Sequence, residues 1–202
     1  MKMGWINGWA VGEAWFHERV RQIWPEAEHV VVAAGADALA RLEAEGGFAV
    51  VGGYSLGAHL MLAEPARVSA LAGQVVLLAP VFAFAREDDL GGRSGRTQVR
   101  HLRRWLRVDP VAALRDFYLR AGLDISVDDQ PATDGLDWGL EVLERLRAEP
   151  PAPAEWRLYC GDVDDLLDAA RLRVLSPGLV VVPGAGHHPG ELLRVAAAGV
   201  RV

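Results

Sequence analysis

Phe48-Ala49-Val50-Val51-Gly52-Gly53-Tyr54-Ser55-Leu56-Gly57 is the stretch on which the reading of this chain turns. Phe48–Val51 is continuously apolar, as in a strand buried on both faces, and the pattern from Leu56 to Ala72 predicts a helix. Between them stands G-x-S-x-G. A serine squeezed into a strand-to-helix turn sits on a strained backbone, its hydroxyl exposed above the helix N-terminus. Glycines flank it because side chains there would clash with the neighbouring strand and helix. The pattern alone recurs by chance; with a strand before it and a helix after it, it points to a nucleophile. The bland alternative is a glycine-rich turn with an incidental serine.

Outward from this turn the same rhythm repeats. Short β-branched runs at 29–33, 75–78, 157–160 and 179–182 predict further buried strands, and 1–6 supplies one more before Asn7-Gly8. Helical patterns fall at 13–23, 36–45, 165–174 and 190–198. Alternating strand and helix is the signature of an open, mostly parallel α/β sheet. The stretch 86–153 departs from it, with no strand-like run and a charged, helical composition. Leu90–Arg107 carries six arginines (93, 96, 100, 103, 104, 107) and no acid before Asp109, and Leu136, Leu140, Leu143 and Leu146 recur at helical spacing up to Arg147. Glu149-Pro150-Pro151-Ala152-Pro153 then leads stiffly back into the sheet. The chain divides into a core, 1–85 and 154–202, and a helical insertion, 86–153, at the C-terminal edge of the strands.

Composition narrows the class. Two hundred and two residues, 51% of them hydrophobic, fit one domain and can bury a sizeable core, which excludes disordered, collagen-like and disulfide-scaffold chains. A net charge of −6 argues against a nucleic-acid partner. The single cysteine, Cys160, cannot pair within the chain, so a reducing, cytoplasmic setting is expected. No apolar run reaches membrane-spanning length, and Asn7 and Glu13 interrupt any signal-peptide core. Neither H-E-x-x-H, C-x-x-C nor a phosphate-cradling G-x-x-x-x-G-K-[ST] occurs, so no metal or cofactor is expected.

A serine hydroxyl needs a base, and the base needs a carboxylate to fix its tautomer. His187 follows the loop glycines of Pro183-Gly184-Ala185-Gly186 at a strand end and is preferred as base over its neighbour His188. Three acids crowd the loop after the 157–160 strand. Asp164 is preferred as the orienting acid, Asp165 is placed to N-cap the next helix, and Asp162 to face solvent. The chain order Ser55, Asp164, His187 is that of a nucleophile elbow on an α/β sheet. An oxyanion would be held by the backbone N–H of Leu56 and by that of Trp9, in Asn7-Gly8-Trp9-Ala10 after the first strand. Trp9 reads as pocket wall, or else as plain core.

With these residues in place the chain resembles an α/β-hydrolase. Within that superfamily it is most similar to the pimeloyl-[acyl-carrier-protein] methyl ester esterases of biotin synthesis. The resemblance rests on the Asn7–Ala10 loop, the Tyr54-Ser55-Leu56-Gly57 elbow, Phe82–Asp88 at the entry of the insertion, Leu136–Leu143 as its last helix, and the acid and base loops. It implies Ser55 as nucleophile, Asp164 as acid, His187 as base, and Trp9 and Leu56 as oxyanion donors. It also implies a helical lid with Phe117 or Tyr118 on the acyl channel. Arg100, Arg103, Arg104 and Arg107 would face an acidic acyl carrier protein. The sequence departs from the family in lacking the usual N-terminal β-hairpin and in carrying Asn7 where a histidine is usual. The expectation is a serine carboxylic-ester hydrolase. Its rivals are a thioesterase or carbon–carbon hydrolase on the same triad, and a non-catalytic binding module on a hydrolase scaffold.

Overall fold

The structure, a computed structural model, describes residues 1–126 and 134–200. Residues 127–133 of the insertion lie outside the described residues. Six parallel strands form the central sheet: β1 (Lys2–Ile6), β2 (Glu28–Val32), β3 (Val50–Tyr54), β4 (Gln74–Leu78), β7 (Arg157–Gly161) and β8 (Val180–Val182), in the order β2-β1-β3-β4-β7-β8. Because all six run the same way, the loops that follow them gather on one rim. The strand order reverses between β1 and β3, one stepping outward to β2 and the other to β4. In open α/β sheets the crevice beyond the strand ends at such a reversal is where ligands bind. Asn7-Gly8-Trp9 follows β1 there and Ser55 follows β3.

Helices α1 (Glu13–Ile23), α2 (Ala38–Glu45), α3 (Leu56–Ala63), α4 (Pro65–Ser69), α8 (Ala169–Leu175) and α9 (Pro189–Ala197) flank the sheet. The expected 56–72 helix is two. Glu64, forced out of the helical region by the ring of Pro65, ends α3, and Pro65 opens α4 at its first turn. The third strand also runs later than the 48–51 reading, through Gly52 and Gly53. There the glycines serve packing: a Cβ on Gly52 would stand 2.2 Å from the ring of Trp5. Trp5 in turn stacks on Trp24 with ring centroids 5.7 Å apart, and Phe16 stacks on Tyr54 at 5.6 Å, building the core under the rim.

The insertion contains α5 (Arg96–Val108), α6 (Pro110–Ala121) and α7 (Asp134–Arg145), with α5 packed on both partners. Two strands that the sequence reading missed, β5 (Ala83–Ala85) at the end of the core segment and β6 (Gly91–Ser94) inside the insertion, pair with each other. Gly91-Gly92-Arg93-Ser94 has no strand propensity, but Gly92 passes so close to Phe84 that a Cβ would lie 1.9 Å from its carbonyl oxygen. Where the chain leaves the core and returns, the N–H of Ala148 donates to the carbonyl of Phe82 at 2.7 Å. Among the described residues no helix is long and apolar enough to cross a membrane, and no group of three or more His, Cys, Asp or Glu is placed to hold a metal ion.

Candidate active site

Ser55 takes φ 53° and ψ −113°, a region L-residues seldom adopt, and its N–H donates to the carbonyl of Leu78 at 2.9 Å. Both motif glycines are sterically required. A Cβ on Gly53 would lie 2.7 Å from the backbone nitrogen of Ala58, and one on Gly57 2.2 Å from the carbonyl oxygen of Ile6. The space saved at Gly57 lets its N–H donate to the carbonyl of Asn7 at 3.1 Å, joining α3 to the loop after β1. The side chain of Ser55 is left partly exposed on the rim.

His187 Nε2 lies 2.9 Å from Ser55 Oγ, and its Nδ1 lies 2.8 Å from Asp164 Oδ2. A carboxylate can only accept, so Nδ1 carries the proton and Nε2 presents a lone pair to the serine hydroxyl. Asp164 is fully buried; its Oδ1 accepts from the N–H groups of Leu166 (2.8 Å) and Leu167 (3.1 Å). The loops that carry Asp164 and His187 lie against each other, since a Cβ on Gly161 would stand 2.0 Å from the carbonyl oxygen of Ala185. Tyr54, unremarked in the sequence reading except as part of the motif, donates its hydroxyl to the carbonyl of His187 at 3.0 Å. Burial and the nearby Asp164 charge push the Tyr54 phenol up, so it stays a donor.

The structure separates the competing residues. His188 caps α9, accepting the N–H of Gly190 at Nδ1, and turns Nε2 to Asp124 at 3.2 Å. Asp162 is exposed and accepts the N–H of Gly184 at 2.7 Å. Asp165 caps nothing: α8 begins at Ala169, and Asp168 is its N-cap, accepting from Arg171. The helix starts late because 166–168 bonds to β6 instead, with an antiparallel bridge between Gly92 and Leu167.

The loop after β1 is held on all sides. Buried Asn7 accepts the N–H of Ala34 at 2.9 Å and donates to the carbonyl of Val11. Trp9 is 4% exposed; its Nε1 donates to the carbonyl of Leu136 at 2.9 Å, and its ring fits against Gly139, where a Cβ would come within 2.4 Å. Phe117 meets Trp9 edge-to-face at 4.6 Å. Both line a small cavity of about 20 Å³ with Phe84, Val99, Leu140 and Leu143, room for about one water. Tyr118, the alternative to Phe117 on the channel, donates its hydroxyl to the carbonyl of Ala10 at 2.6 Å, on the loop after β1.

The arginines of α5 mostly serve the insertion itself. Arg100 pairs with Glu144, Arg103 with Asp137 (2.6 Å) and Glu141 (2.9 Å), and Arg107 with Asp137 (2.8 Å). The guanidinium groups of Arg103 and Arg107 hold the Asp137 carboxyl down to about 2. Arg104 is exposed, on an open groove with His101 and Trp105. A further buried residue went unnoticed in the sequence, His59 on α3. Its Nδ1 faces the carbonyl of Val81 at 2.7 Å and its Nε2 that of Leu146 at 3.2 Å, at the two stems of the insertion. A histidine one turn beyond the serine in an otherwise apolar helix was the available signal.

Several solved structures share this architecture. The type II thioesterase BorB from the borrelidin biosynthetic cluster superposes with a TM-score of 0.70 at 16% identity, covering 99% of this chain and 92% of that one. A thermophilic esterase from Thermogutta terrifontis gives 0.68 at 14% identity over 98% and 87%. An epoxide hydrolase from Bacillus megaterium gives 0.61 at 12% identity over 98% and 91%. At such identities the likeness is one of fold. No curated protein matches the chain by sequence. The profile of the alpha/beta hydrolase family matches residues 11–196, nearly the whole chain from the loop after β1 to α9, and the protein belongs to that family.

Proposed function

We propose that the protein is a serine hydrolase of carboxylic esters. The observation that carries this reading is the unbroken chain from Ser55 Oγ to His187 Nε2 (2.9 Å) and from His187 Nδ1 to Asp164 Oδ2 (2.8 Å). In it, His187 takes the serine proton as Oγ adds to the ester carbonyl. The N–H groups of Leu56 and Trp9 hold the oxyanion, each worth about 2.7–4 kcal/mol of transition-state stabilisation. Collapse expels the alcohol, which leaves with the proton from His187. Water, deprotonated by the same imidazole, then cleaves the acyl-serine and regenerates Oγ–H.

Nucleophile chemistry favours acyl transfer over epoxide opening. An acyl-serine is an ester that water reopens through the same tetrahedral geometry; opening an epoxide with Ser55 would leave an ether, which that route cannot cleave. The acyl group would lie against Trp9 and Phe117 once the insertion, acting as a lid, moves to widen the one-water space between them. A carrier-bound ester, such as a pimeloyl methyl ester in biotin synthesis, is the finer form of the proposal. Arg104 is its best remaining contact for an acidic carrier, since Arg100, Arg103 and Arg107 already have acid partners.

The test is a p-nitrophenyl ester panel of increasing acyl length, with acyl thioesters alongside, on wild type and Ser55→Ala. Wild type should turn over esters and be labelled at Ser55 by a fluorophosphonate, and Ser55→Ala should do neither. Hydrolysis that survives the substitution would refute the proposal; faster turnover of thioesters than of esters would move the substrate class.

A further inference from the structure

We propose that Arg93 is a positioning residue for the acid of the triad, an inference that rests on reading Ser55, His187 and Asp164 as catalytic. Arg93 heads the arginine run of the insertion but lies on β6, away from the α5 face where most of the others find their acids. Its Nη1 donates to the backbone carbonyl of Asp164 at 2.9 Å, and its own N–H donates to the carbonyl of Leu166 at 2.9 Å.

The turn that carries Asp164 aims amides inward. The N–H groups of Leu166 and Leu167 converge on Oδ1, and this convergence leaves Oδ2 directed at His187. With those amides turned in, the carbonyls of Asp164 and Leu166 need partners elsewhere, and Arg93 supplies both. The N–H of Asp168 donating to the carbonyl of Gly91 at 2.8 Å, and the Gly92–Leu167 bridge, continue the same seam. The short strand in the insertion thus clamps the acid loop, and the Arg93 guanidinium fixes the one residue of that loop whose carboxylate must not rotate. Displacing such a group by a fraction of an ångström slows proton transfer without altering substrate contacts.

The experiment compares Arg93→Ala and Arg93→Lys with wild type, taking Arg173→Ala as the surface-charge control. Steady-state hydrolysis of a p-nitrophenyl ester is measured together with the low-field proton resonance of the His187 Nδ1–H, followed with pH. The backbone bond from residue 93 to Leu166 survives either substitution, so the loop remains attached. For Arg93→Ala, kcat should fall about ten- to a hundredfold with KM unchanged, and the imidazole resonance should shift or broaden. Arg93→Lys, which still donates to the Asp164 carbonyl, should recover most of both. An unchanged kcat and resonance in Arg93→Ala would overturn the proposal, as would a loss that lysine fails to restore. The resonance reports on the Asp164–His187 pair whether or not Ser55 attacks anything. A wild type that fails to label with fluorophosphonate would therefore count against the hydrolase reading, while the resonance comparison would still decide the role of Arg93.

Discussion

Ser55 occupies a backbone conformation that costs a residue bearing a Cβ about 1–3 kcal/mol, and the cost persists because the surroundings leave the chain no other path. Its amide is fixed to Leu78, the next glycine is fixed to Asn7, and Gly53 and Gly57 lie too close to neighbouring backbone to move. Ser55→Gly should relieve the strain. Allowing for the larger entropy glycine loses on folding, the variant should resist urea better than Ser55→Ala by about 1 kcal/mol, while both are inactive. Equal unfolding midpoints for the two variants would mean that no strain is stored there. At this scale the sequence is most readable, because steric demands are local: G-x-S-x-G names its own glycines. Tyr54 and Arg93 act through backbone carbonyls far along the chain, at His187 and Asp164, and no spacing rule announces such partners.

Among the elements, α3 joins most of the molecule together. It begins just after Ser55, touches the loop after β1 through Gly57, and buries His59 between the two stems of the insertion. A neutral imidazole has one N–H for two carbonyls; the shorter distance assigns it to Val81. Burial lowers the pKa of His59 from 6.5 to about 4, so the unfolded chain binds the extra proton between those values. Stability from this group is therefore complete above about pH 6.5 and declines as the pH falls toward 4, by up to about 3 kcal/mol. Urea unfolding at about pH 7 and about pH 4.5 should show a smaller acid loss in His59→Gln than in wild type. Strand and helix order were legible from periodicity. The start of α8 was not, because 166–168 gave up its helical bonds to pair with a strand that itself looks like a loop.

For the molecule as a whole, the arginine run bears on how charge is distributed. Read along the chain it looks like a basic face, whereas in space the acids of α7 take up half of the run and Asp88 takes Arg96: Asp137 alone receives Arg103 and Arg107. Sequence shows the sign of each charge but not the helix opposite, so this part of the reading could only come from the fold. These pairs are partly exposed and individually weak. Arg103→Ala should lower stability by about 1 kcal/mol in dilute buffer, and the difference should shrink in about 1 M salt, where screening acts within about 3 Å. A deficit independent of salt would point to lost packing of the arginine stem.

The hydrogen bond from Ala148 to Phe82 brings departure and return of the insertion side by side. Closing a longer or shorter excursion between two such neighbouring points changes the entropy only slowly with length, so the sheet is nearly indifferent to what is carried there. The core is thereby a socket, and transplanting another excursion into it is a feasible route to testing what the insertion contributes. Any transplant must bring two small parts with it: a carbonyl where Leu136 receives the indole of Trp9, and a cation where Arg93 meets the acid loop.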